Sequence, residues 1–356
     1  MRRSEAFCPD WVSAPGDTIG DALREQDISV AEFANRMGQT IEQAKSLLSG
    51  GLPITIAMAR KLEAVIGGSV EFWMSRDFNY RQPSPNAEAN DNTWLRTLPF
   101  ADMVRFGWLK PEPKRNEELA ACLRFFGVSN VAAWHRSYAA LEKRFSFRTS
   151  SSFESNPAAV AAWLRQGEIE AAAIKCAPWS AAAFQRSFDS IRLLIREKDP
   201  TEFVPILRKV CAESGVAVTT VRSPKGCRAS GATRFVAKDK ALLLLSFRFL
   251  SDDQFWFSFF HEAGHLLLHS RQEVFIEGIE HPNSDAEHQA NEFAARILIP
   301  EELKLEFLSL RARRFELARF ARKIGVSPGI VVGQLQHYGK IRKDHFNGLK
   351  RRYRWE

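Results

Sequence analysis

His261-Glu262-Ala263-Gly264-His265 lies inside an apolar run, with Phe255-Trp256-Phe257-Ser258-Phe259-Phe260 before it and Leu266-Leu267-Leu268 after it. On a helix, two histidines four apart share one face and can reach a single tetrahedral zinc ion. A glutamate beside the first is placed to act as general base for the water that zinc activates. With His261 at 0°, His265 falls at about 40°, Ser258 at about 60°, His269 at about 80° and Glu262 at about 100°. The polar side chains therefore form one stripe on an otherwise oily, buried helix. Burying them together costs several kcal/mol unless something pairs them, and a metal would. The alternative is a helix of hydrogen-bonded core histidines. The pattern is read as a Zn2+ site, with His261 and His265 as ligands and Glu262 as the catalytic base.

Catalytic zinc takes three protein ligands and keeps one position for water. The downstream candidates are His269, His281, Asp285, Glu287, His288 and Glu292. Asp285 to Ile299 has helical periodicity, ended by Pro300. Glu287 shares a face with Ala290, Asn291, Ala294, Ile297 and Leu298. Gln289, Glu292 and Arg296 lie opposite, the last two spaced for a surface pair. Glu287 is thus the carboxylate that enters the core, and Asn291 one turn later can hold a metal-bound histidine in its tautomer. A buried carboxylate paired with an arginine is the other reading of Glu287. His269 stands too far along the helix for easy co-ligation with His261, and reads as a supporting or core histidine.

The two segments together, His261-Glu-Ala-Gly-His265-Leu-Leu-Leu-His269 and Glu287-His-Gln-Ala-Asn-Glu-Phe-Ala-Ala-Arg-Ile-Leu-Ile-Pro300, resemble the ImmA/IrrE metallopeptidases. Order and spacing agree in both, and Ile299 where methionine is commoner is a conservative departure. The resemblance implies a gluzincin-like arrangement with Glu287 as third ligand. It also implies a bacterial or phage protein whose relatives cleave helix-turn-helix repressors and thereby switch on genes.

At 356 residues, 45% hydrophobic and 26% charged, the chain fits a soluble protein of two or three domains. No run of apolar residues is long enough for a membrane span, and Met1-Arg2-Arg3-Ser4-Glu5 opens no signal peptide. Cys8, Cys122, Cys176, Cys211 and Cys227 are scattered without metal-type spacing, as suits reduced thiols in a cytoplasm. The formal charge of +8 is uneven, since residues 304–356 hold fourteen Lys and Arg against four Asp and Glu. Such a tail suits nucleic acid, an acidic partner, or simply a solvated helix face.

Residues 1–82 read as one domain, with five short helices from Pro15 to about Arg81. Ser29 caps Val30–Met37, Gly38 turns the chain, and Thr40 opens a helix to Ser49. Pro15-Gly16-Asp17, Ile54 to Leu62, and Val70-Glu71-Phe72-Trp73-Met74 resemble Xre (Cro/cI-type) helix-turn-helix domains, in particular the HigA antitoxin-like subgroup. Thr40, Gln43 and Lys45 are the candidate DNA contacts at the start of the second helix. Against operator binding, Ile41 and Glu42 stand where relatives carry Gln or Arg, and Trp11–Gln82 holds seven basic residues against nine acidic ones. The rival role is a dimerisation or docking module.

Residues 83–115 are read as a linker and 116–214 as a helical spacer, with helices over Glu117–Phe126, Val131–Arg144, Pro157–Ile174, Ser180–Glu197 and Thr201–Ser214. Strands are expected at Gly215–Val221, Arg234–Ala237 and Ala241–Phe249, within a peptidase core of 215–303. Ala241–Ser246 is either an edge strand that receives substrate or a buried central strand. In the tail, 304–356, Phe315–Ile324 and Pro328–His337 form a second helix-turn-helix-like pair, either presented to DNA or packed over the peptidase. The expected fold is α+β, predominantly helical, with a small zincin-like core and a short sheet. The expected function is a cytoplasmic zinc endopeptidase that cleaves a repressor or antitoxin, with operator DNA and a second copy of the chain as candidate partners and no membrane. The alternative is a HigA-like DNA-binding repressor whose zinc domain is structural or sensory.

Overall fold

The computed structural model describes residues 14–81, 87–111, 114–128, 130–146, 155–271, 274–277 and 285–354. His281 and Cys8 lie outside them. The chain divides into two compact units, one of residues 1–94 with 129–136 and one of 95–128 with 137–356. Among the described residues, no helix is long and apolar enough to cross a membrane.

The first unit holds α1 (Pro15–Glu25), α2 (Val30–Met37), α3 (Ile41–Leu48), α4 (Ile56–Ile66) and α5 (Val70–Arg81). Each apolar stripe turns inward onto Ile19, Phe33, Met37, Leu47, Leu62 and Trp73. The caps are those the residues dictate. The Ser29 side chain accepts from the amide of Glu32, and Thr40 and Gln43 close a reciprocal capping box at the start of α3.

Two helices, α6 (Ala87–Thr97) and α7 (Phe100–Arg105), occupy part of the stretch expected as a linker. The spacer follows as α8 (Arg115–Phe126), α9 (Val131–Ser146), α10 (Pro157–Ala173), α11 (Ala181–Arg186), α12 (Phe188–Leu194) and α13 (Pro200–Ala212). The single helix expected over Ser180–Glu197 is broken at Ser187, whose hydroxyl donates to the Phe184 carbonyl at 2.6 Å and competes with the helical ladder.

Next come β1 (Val216–Thr220), β2 (Gly231–Ala237), β3 (Lys240–Leu245), α14 (Asp252–Leu268), β4 (Phe275–Ile276), α15 (Asp285–Leu298), α16 (Lys304–Leu308), α17 (Arg314–Ile324) and α18 (Pro328–His337). The sheet order is β1-β3-β2-β4, with β1 parallel to β3 and the other pairs antiparallel. β3 is therefore central, not an edge. Its unbroken run Leu242–Leu245 is buried throughout, as a strand covered on both faces requires. Ala241, Leu243 and Leu245 join the core cluster of α14, while Leu244 meets Gly167 of α10 on the other side. The alanine-rich α10 brings its backbone close to the sheet by presenting small side chains.

The helical pair α17–α18 packs over this core. Ile330, Val331, Val332 and Leu335 of α18 are buried in the same cluster as Phe255, Trp256 and Phe259 of α14. Polar bonds fix the join. Ser327 Oγ donates to Asp252 Oδ2 at 2.6 Å, the Arg351 amide donates to Asp252 Oδ1 at 3.0 Å, and Lys350 Nζ lies 2.7 Å from Asp253 Oδ2.

Candidate metal centre

α14 carries its polar stripe through a fully covered position. Ser258, His261, Glu262 and His265 are each no more than 2% exposed. Gly264 lets α15 close on this helix, because a side chain there would meet the Cα of Ala290 at 3.3 Å. That approach delivers Glu287, from the first turn of α15, to the two histidines. His261 Nε2 lies 3.0 Å from His265 Nε2 and 3.2 Å from Glu287 Oε2, and His265 Nε2 lies 3.4 Å from Glu287 Oε1. His261, His265 and Glu287 are the metal-type cluster among the described residues, with donor atoms all within 4.8 Å of one another.

The outer ring nitrogens set the tautomers. His261 Nδ1 is 3.0 Å from Asn291 Oδ1, so its N–H donates there and leaves the Nε2 lone pair facing the cluster. His265 Nδ1 is 3.0 Å from His269 Nδ1, and His269 Nε2 is 3.2 Å from Gln289 Oε1. The consistent assignment runs inward from Gln289: His269 donates to the amide oxygen, His265 donates to His269, and the His265 Nε2 lone pair also faces the cluster. Two lone pairs and a carboxylate then converge with no donor among them, which is the chemistry of a cation site. The donor set of two imidazoles and one carboxylate suits a divalent transition ion.

Electrostatics agree. Burial alone would pull His261 down, but the hydrogen bond to Glu287 and the charges of Glu277, Glu262 and Glu287 push it up to about 9. Burial would raise Glu287, yet His261 and His265 hold its carboxyl well below the usual range. His265 is lowered by burial. Without a metal, a proton on His261 fills the place of the cation.

Glu262 occupies the adjacent wall. Its Oε2 accepts from Thr233 Oγ1 at 3.0 Å, and its buried Oε1 has no hydrogen-bond partner among the described residues. Burial pushes its carboxyl well above the usual range. Gly231 on β2 makes room for it, since a methyl group there would fall 2.6 Å from Glu262 Oε1. Four neighbours escaped sequence reasoning: Gly231, Thr233, Gln289 and Glu277. Glu277, just past β4, accepts from the Ser258 hydroxyl, and burial raises it. Thr40, Gln43 and Lys45 lie elsewhere, exposed on the first turns of α3.

Residues 215–335 match the family model of the IrrE N-terminal-like domain, of the M78 peptidases. A further similarity, 41% identity over 61 residues of the amino-terminal region, is to the uncharacterized HTH-type transcriptional regulator YddM of Escherichia coli (strain K12). It covers 17% of this chain and 65% of that protein's length. The stretch bearing His261, His265 and Glu287 thus matches the IrrE N-terminal-like domain of the M78 peptidases, on one chain with an amino-terminal region similar to an HTH-type transcriptional regulator.

Proposed function

We propose that this chain is a zinc-dependent endopeptidase of the cytoplasm that controls transcription by cleaving a repressor or antitoxin protein. Glu262 carries the reading: a buried carboxylate beside the ligand cluster, tied through one oxygen only, is of no use to a structural or sensory zinc site. The two imidazole nitrogens lie 3.0 Å apart and each has a Glu287 oxygen, Oε2 or Oε1, at 3.2–3.4 Å, separations close to the edge of a zinc tetrahedron, roughly 3.3 Å for bonds of about 2.0–2.1 Å. A zinc ion held by His261 Nε2, His265 Nε2 and the Glu287 carboxylate would supply a Lewis acid for the peptide carbonyl and acidify water at the remaining position.

The chain's own residues do the rest. Glu262 takes a proton from the attacking water at Oε1 while Thr233 fixes Oε2. Water oxygen bonds to the carbonyl carbon, the C–N bond breaks, and Glu262 passes its proton to the leaving amine. The raised affinity of Glu262 for that proton, set by burial, suits both transfers. Asn291 and His269 keep the two imidazoles turned toward the cluster.

The amino-terminal domain is read as the operator-binding part, a reading supported by its similarity to an HTH-type regulator. Gln43 Oε1 accepts from the Thr40 amide at 3.1 Å, which leaves its amide NH2 to donate, alongside Lys45, toward DNA. A homodimer would present two such helices to two half-sites. The same similarity favours the second reading, a HigA-like repressor whose metal domain is structural or sensory. Glu262→Gln separates them. Comparison of protein amino termini in cells carrying parent or variant chain should reveal a cleavage product that depends on Glu262. No such product, with the regulatory phenotype intact in the variant, leaves the repressor reading.

A further inference from the structure

The basic tail divides into paired and unpaired cations. Lys304, Lys323, Arg342 and Lys350 meet Glu301, Glu306, Asp344 and Asp253. Arg351 is engaged by the carbonyls of Ile195, Arg196 and Glu197, and Arg352 by that of Phe249. The remainder concentrates on α17 and the turn before it. Arg311, Arg313, Arg314, Arg319 and Arg322 are all exposed, and among the described residues none of them makes an ion pair. Phe315 stands among them at 75% exposure.

Helix geometry gathers these side chains. Arg322, Phe315 and Arg319 fall within about 60° of one another, with Arg314 about 80° to one side. The opposite face, Leu317, Phe320, Ala321 and Ile324, is buried and holds the helix in place. An ordinary solvated face alternates charge and gains from opposite pairs three and four residues apart. Here Arg319 makes no ion pair with Glu316 at i−3 and has Arg322 at i+3, a spacing at which like charges disfavour the helix, while Lys323 at i+4 is already paired with Glu306. Such an arrangement is relieved by a polyanion.

We propose that the outer face of α17 docks the sugar-phosphate backbone of double-stranded DNA without reading its sequence. The unpaired cations of α17 and the turn before it are all arginine, whose planar fork matches phosphate oxygens two at a time. Between Arg314 and Arg322 the helix rises about 12 Å, a length over which a duplex offers several phosphates. Base reading is excluded because α18, the second helix of the pair, is buried in the core. The contact adds to that of the amino-terminal domain and raises retention on DNA through effective concentration. It does not depend on the peptidase reading of the metal centre.

Fluorescence anisotropy of the full chain with a labelled duplex of arbitrary sequence, across a salt series, tests this. Arg314→Gln, Arg319→Gln and Arg322→Gln together should weaken binding at least tenfold near about 0.1 M salt and make the log–log salt slope shallower by about 2 to 3. Arg319→Gln alone should give about one third of that slope change. Any contribution of the amino-terminal domain is common to all these proteins and cancels. Metal content and circular dichroism should match the parent, because every substituted side chain is exposed. Unchanged affinity and slope in the triple variant would overturn the proposal. So would competition by polyglutamate as strong, charge for charge, as by duplex DNA, which would assign the face to an acidic protein.

Discussion

Gly231 on β2 faces the Glu262 carboxylate so closely that a methyl group on its Cα would lie 2.6 Å from both Cγ and Oε1. Backbone and proposed base are thus in contact, and Thr233 two residues along the same strand grips the other oxygen. Gly231→Ala should push Glu262 off its position without touching the ligands. Hydrolysis is expected to fall by roughly 10²–10⁴-fold, the usual worth of a positioned base, while metal content stays that of the parent. Single-turnover cleavage and elemental analysis check both halves; parent-like cleavage would refute the placement.

Asn291 holds His261 by one hydrogen bond at 3.0 Å. Asn291→Ala should free the ring to rotate and lower zinc affinity about 10–100-fold, measured by competition with a chromogenic chelator. Gln289→Ala acts one hydrogen bond further out, through His269, and should cost less. Equal losses in both variants would contradict the relay as drawn.

Protons and metal compete at His261. In the metal-free protein this imidazole sits near 9, above its ordinary 6.5, while Glu287 is held below its usual range. Its stabilising effect is therefore complete below about pH 6.5 and lost as pH rises toward 9, whereas that of Glu287 is lost as pH falls through the acid range. The metal-free chain should lose thermal stability between pH 6.5 and 9. Zinc binding at pH 7 should release about one proton, and affinity should rise about tenfold per unit of pH up to that range. Calorimetry in two buffers of different ionisation enthalpy counts the proton; release of none would contradict the assignment.

Lys350 and Asp253 form a buried ion pair, with side chains 11% and 3% exposed, that ties the carboxy-terminal segment to the start of α14. Lys350→Met strands a buried carboxylate and should destabilise the fold by about 3–5 kcal/mol in denaturant titration. Adding Asp253→Leu should recover part of that loss, since it removes the orphaned charge. A single variant as stable as the parent would show that the segment is not anchored there.

Relationships within one helix or one periodic stretch are legible in the sequence. The placing of Glu287 and Asn291 beside the histidines follows from their common helical face. What crossed between elements was not legible. The strand expected over Arg234–Ala237 begins at Gly231, so the two residues that touch Glu262 fell just outside it. Gln289 was placed on the solvent face of α15, correctly, yet it reaches His269 because that histidine emerges at the exposed end of α14. Glu277 carries no local signal at all. The position of β3 inside the sheet depends on pairing with β1 and β2, which alternation within one strand does not encode.

Elemental analysis of the purified chain and two variants bears most directly on the metal cluster from which the proposed chemistry starts. One zinc per chain is expected in the parent and in Glu262→Gln, and a clear substoichiometric loss in Glu287→Ala. A metal-free parent, or a Glu287→Ala variant that binds zinc as tightly as the parent, would contradict it.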